Sequence, residues 1–181
     1  MRTCLLVVAS LLCAACSATM TEGPSTAKTY TGTYSAQVVE STVSTSLTGG
    51  GTFPCTNTYT MSGTLTMTIN EAAGATIGSA QIAGTQVETT HSSGDSCKAK
   101  GDLSTVWSPK LTGSTTDLHF DEQNVSPNGA YVVTSKTSFA GALSGGVVTG
   151  VLGFSVSGSG TIGGVTSIVQ SYSSTMTVTL H

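Results

Sequence analysis

From Tyr59 to Asn70 the chain alternates without a break. Tyr59, Met61, Gly63, Leu65, Met67 and Ile69 fall on one face, and Thr60, Ser62, Thr64, Thr66, Thr68 and Asn70 on the other. A period of two over a dozen residues fits a β-strand with one dry and one wet face, and it does not fit a helix. The same pattern opens and closes the chain. Tyr30, Gly32, Tyr34, Ala36 and Val38 alternate with Thr31, Thr33, Ser35 and Gln37; Tyr172, Ser174, Met176, Val178 and Leu180 alternate with Ser173, Thr175, Thr177 and Thr179. Weaker strands are predicted at about 76–90, 102–112, 115–122, 130–141 and 147–158, with another at 161–169.

Composition supports this reading. The 181 residues include 33 Thr, 26 Ser and 22 Gly, and only 8% are charged. Disordered chains usually combine high net charge with few β-branched residues, whereas this chain has the reverse. Turn residues separate the predicted strands: Gly49-Gly50-Gly51, Ala73-Gly74, Ser93-Gly94-Asp95, Asn128-Gly129, Gly145-Gly146 and Gly163-Gly164. Connections this short favour antiparallel neighbours, because a parallel crossover needs a dozen or more residues. The expected fold is all-β, an antiparallel meander of about eight or nine strands in a closed or nearly closed barrel, with a β-sandwich as the alternative. Pairing of the long first and last strands would remove two exposed edges.

The first sixteen residues read Met-Arg-Thr-Cys-Leu-Leu-Val-Val-Ala-Ser-Leu-Leu-Cys-Ala-Ala-Cys. A positive start, an apolar run and small residues make a secretory signal pattern, too short for a finished membrane span. Cys13-Ala14-Ala15-Cys16 resembles the lipobox of bacterial lipoproteins, with Cys13 where that family usually has Leu. The resemblance covers the leader only. It implies cleavage before Cys16 and acylation of that residue with fatty chains such as palmitate, which anchor firmly because each buried CH₂ contributes about 0.8 kcal/mol. Ser17 in place of Asp implies delivery to the outer membrane of a Gram-negative cell envelope. The alternative is ordinary cleavage nearby and a soluble secreted protein. The organisation expected is a signal peptide at 1–15, a flexible tether at 16–28 and a single β domain at 29–181.

With Cys4 and Cys13 lost in the leader and Cys16 acylated, Cys55 and Cys97 remain, and an oxidising compartment predicts their disulfide. The mature chain carries five Lys against nine acids, which argues against nucleic acid as a partner. A barrel embedded in the membrane is disfavoured by ten scattered aromatics with no girdle.

One cluster and one aromatic residue are candidates for chemistry. In a strand, Asp117, His119 and Asp121 share one face while Leu118, Phe120 and Glu122 share the other. The first set could hold a divalent metal or orient a base. The plainer reading, a solvated outer face with Leu118 and Phe120 turned inward, is favoured because nothing else in the chain supplies a matching ligand or nucleophile. Trp107, the single Trp, could line a ligand cavity or close one end of the core. No hydrolase elbow, phosphate loop or HExxH appears, so no enzyme activity, metal or cofactor is expected. The functional expectation is a lipid-anchored envelope protein that binds a small apolar ligand inside a β-barrel. The alternative is a structural or surface-interaction protein with a packed core and Thr/Ser-rich faces that meet an envelope component.

Overall fold

The computed structural model describes residues 27–45, 52–72, 76–92, 97, 102–128, 131–162 and 165–181. Nine strands follow in order: β1 (Ala27–Thr45), β2 (Thr52–Asn70), β3 (Thr76–His91), β4 (Leu103–Trp107), β5 (Lys110–Ser114), β6 (Asp117–Asn128), β7 (Tyr131–Ser144), β8 (Val147–Ile162) and β9 (Val165–Leu180). All pairings are antiparallel. They join the nine strands into one sheet and close a ring of hydrogen bonds through eight of them. The ninth, β4, lies beside β5 along the same edge of β3.

The first and last long strands do pair. Ser41 and Thr42 bridge to Ser171 and Gln170, and toward the other end Thr31 and His181 exchange backbone bonds of 2.9 and 3.2 Å. Both sets lie on one antiparallel register, so β1 and β9 meet over most of their length. Following the registers once around the ring climbs roughly eight residues along the strands, the kind of stagger that closing eight strands requires. An eight-stranded ring has an interior just wide enough for side chains to fill or for one small ligand.

The alternation seen in the sequence sets what fills it. On β2, Leu65, Met67 and Ile69 are fully buried, and on β9 Val178 and Leu180 are buried, while the intervening Thr residues face outward. Each such side chain stabilises the fold by about 1.5–3 kcal/mol through removal from water. Two aromatic rings need glycine beside them. Tyr34 lies over Gly63 and Gly84, which pair across β2 and β3; a Cβ on Gly84 would overlap the Tyr34 hydroxyl. Phe139 likewise covers the Gly141–Gly150 pair of β7 and β8. The β7–β8 hairpin turns at Gly145 and Gly146, whose φ of 58° and 80° match the left-handed conformation of a two-residue turn.

Several strands differ from expectation in extent. β2 begins at Thr52 and runs through Pro54, because β1 is long enough to pair with it from Ala27–Asn70 to Thr45–Thr52. The segment expected at 102–112 is interrupted at Ser108 and Pro109 into β4 and β5. β6 continues past Glu122 to Asn128. The strand expected at 161–169 is not separate: it supplies the end of β8 and the start of β9. The leader, Cys16 and most of the tether lie outside the described residues, and β1 starts at Ala27.

Candidate functional site

Partway along the ring interior, apolar side chains give way to polar ones. There a cavity of about 50 Å³ is lined by Tyr34, Met61, Gln86, Trp107, Phe154 and Tyr172, with Thr105, Ser135 and Val156 at its margin. Trp107 reaches it because β4 pairs with β3 in a register that sets Trp107 opposite the fully buried Ile82. The ring is half-buried against the core, and the strand ends immediately after it at Ser108-Pro109. Tyr34 and Phe154 tilt against each other at 40° with centroids 5.6 Å apart.

Beyond the cavity the interior carries a hydrogen-bonded chain. Gln170 Nε2 donates to Glu40 Oε1 at 2.7 Å, and the Tyr59 hydroxyl donates to Glu40 Oε2 at 3.0 Å. Asn57 Nδ2 donates to the Tyr59 oxygen at 3.2 Å and to the Cys97 carbonyl at 2.8 Å. The Tyr172 hydroxyl donates to Gln86 Oε1 at 3.3 Å. Glu40 is only 4% exposed, and among the described residues no lysine pairs with it. Its two donors supply what water no longer does, which is how a buried carboxylate is tolerated. Burial, with the nearby Glu40 charge as a lesser cause, pushes the Tyr59 and Tyr172 hydroxyls up to about 12. Both therefore stay protonated donors through the neutral range. Burial raises Tyr34 as well.

The disulfide closes this end. Cys55 and Cys97 are joined, with Cα atoms 5.5 Å apart and both residues buried, as the cysteine count predicts. The bridge fixes Cys97 so that its carbonyl reaches Asn57. The remaining Asn57 oxygen is buried with no donor.

The Asp117, His119 and Asp121 face is solvated. All three side chains are exposed, His119 Nδ1 lies 3.9 Å from Asp117 Oδ1, and Leu118 and Phe120 are buried on the opposite face. Glu122 shares the inward face, and its Oε2 atom is buried without a donor. Among the described residues no group of three or more His, Cys, Asp or Glu is placed to hold a metal ion. The inward polar residues Glu40, Asn57, Gln86 and Gln170 were not singled out from sequence; Glu40 merely extends the inward alternation that ends at Val38 in the first-strand pattern.

The outer surface differs sharply in character. Thr29, Thr31 and Thr33 on β1 stand opposite Thr68, Thr66 and Thr64 on β2, with hydroxyl pairs at 3.3 Å for Thr29–Thr68 and 3.2 Å for Thr31–Thr66. Thr175, Thr177 and Thr179 continue the outward pattern on β9. No family model, curated protein or solved structure matches the chain.

Proposed function

We propose that this chain is a lipid-anchored cell-envelope protein, tethered through Cys16 to the outer membrane, that works through its outward surface and carries no large ligand inside. The observation behind this reading is the close-packed apolar half of the ring, where Leu65, Leu111, Leu118, Leu152 and Leu180 are fully buried, together with a small cavity beside it. Small-molecule sites usually measure about 300–1,000 Å³, and the cavity beside Trp107 measures about 50 Å³. A fatty ligand does not fit that cavity. The outward Thr rows of β1, β2 and β9 also differ from the apolar band that a lipid-facing barrel presents. This favours a peripheral protein held by its lipid, with the Thr/Ser faces free to meet an envelope component.

Expression in a Gram-negative host tests the anchor. The account expects the mature chain in the outer-membrane fraction with the mass of an acylated Cys16, and Cys16→Ala in soluble form. An unmodified N-terminus on the native sequence would refute it.

A second reading has a specific observation behind it. Trp107, Tyr34 and Tyr172 surround the cavity together with Gln86, a mix of ring faces and polar tips that suits the end of a small ligand. Titration of short aromatic alcohols against Trp107 fluorescence checks it, with a saturable response expected and a flat trace eliminating it.

A further inference from the structure

One seam of the ring is short. β5 and β6 pair only from Thr112–His119 to Ser114–Asp117, whereas β6 and β7 pair from Leu118–Gly141 to Asn128–Tyr131. From Phe120 onward the other edge of β6 has no backbone partner among the described residues. β4 matches it: Leu103–Trp107 pairs with β3, and its far edge has none among the described residues. Continuing the β5–β6 register brings Pro109 opposite Glu122, with the Pro109 carbonyl turned the other way, to β3, where it accepts from Ala80 N at 2.9 Å. Pro127 stands near the other end of the open edge, which leaves Phe120–Ser126 as the usable stretch.

The seam has a chemical preference. Glu122 Oε2, on the inward face, is buried and lacks a donor. Asp117 and Asp121 are exposed on β6 itself. Val106 on β4 and Val125 on β6 are exposed on the outer faces of the two open edges, at 67% and 52%. A strand edge of this kind satisfies its N–H and C=O groups when an extended segment adds to it, and alternate side chains then set specificity.

We infer that the open edge of β6, Phe120–Ser126, takes an extended segment of a partner polypeptide as an added strand, with a lysine or arginine of that segment donating to Glu122. This rests on the reading of the chain as an outward-acting protein and names the class of partner. The charge of Glu122 selects a basic residue, and the valines select apolar neighbours on the segment's outer side.

The test uses the full mature chain and two fluorescein-labelled peptides, Thr-Val-Lys-Val-Thr-Val-Thr and its counterpart with Glu for Lys, followed by fluorescence anisotropy. The Lys peptide is expected to bind at least about tenfold more tightly than the Glu peptide. Glu122→Gln should shrink that preference to under about threefold, and Val125→Pro should abolish binding of both while the near-ultraviolet circular dichroism stays that of the parent. Hydrogen exchange should show new protection at residues 120–126 with the Lys peptide alone. Equal binding of the two peptides, or none up to about 1 mM, overturns the inference. So does a dimer in sedimentation velocity that Val125→Pro disperses, since the edge then serves a second copy of this chain. These failures are separable from failure of the outward-acting reading, which falls if native mass spectrometry finds a ligand inside.

Discussion

The two halves of the ring interior are built from the same strands and solve opposite problems. In one half, Leu65, Ile69, Leu111, Leu118, Leu152 and Leu180 are fully buried and need nothing but close packing. In the other, Glu40, Asn57, Gln86, Tyr59 and Tyr172 are inward and hydrogen-bonded, with the Asn57 oxygen left without a donor. The first half tolerates error in direction and punishes lost volume. The second tolerates lost volume and punishes a missing donor. A cross-link holds the polar half at Cys55 and Cys97, where hydrophobic burial is sparse.

That contrast can be broken from either side. The largest effect is expected from the cross-link: the sequence separation of 42 implies a loss of about 4 kcal/mol on reduction in the chain-entropy account. Denaturant unfolding with and without reductant measures it. In the apolar half, Leu65→Ala should lose about 3 kcal/mol, the sum of transfer and cavity terms for a site with no exposure. In the polar half, Glu40→Leu should lose about 1–3 kcal/mol although it adds apolar surface, because the Tyr59 hydroxyl and the Gln170 amide lose their acceptor. Adding Tyr59→Phe to Glu40→Leu should recover part of that loss, and a double-mutant cycle reads the coupling. On the outer face, Thr66→Val should change stability by under about 0.5 kcal/mol, since its hydroxyl pair with Thr31 is exposed.

Alkaline pH separates the halves without mutation. Tyr59 and Tyr172 titrate near 12 in the folded chain against 10.0 for the free group, so the folded state holds their protons more tightly. The resulting stabilisation is fully present below pH 10 and is lost as pH climbs from 10 to 12. Unfolding measured across that window should show a steep decline in the parent and a shallower one in Tyr59→Phe/Tyr172→Phe. A parallel decline would mean that these hydroxyls are not the responsible groups.

The apolar half was readable in the sequence because alternation on β1, β2 and β9 marks its inward face residue by residue. The disulfide was readable from counting. The polar half was not read, for a physical reason: beyond Val38 and before Tyr59 the inward positions are Glu40, Asn57 and Cys55, and hydropathy alone cannot tell an inward polar residue with partners from a solvated one. Carrying the period two residues further to Glu40 would have flagged it. Strand lengths were also underestimated, since β2 crosses Pro54 and β6 runs to Asn128 with few apolar residues to mark them. The interruption at Ser108 and Pro109 ends β4 just after Trp107, beside the cavity; sequence placed the proline but not the register of the strand before it.

The most direct test of the central claim is native mass spectrometry of the purified, unlipidated chain, run beside titration of a fluorescent fatty-acid probe against Trp107 emission. A filled interior predicts the bare polypeptide mass and a Trp107 signal indifferent to the probe. A co-purified ligand mass, or saturable quenching by the probe, would contradict it and return the interior to the role of a binding cavity.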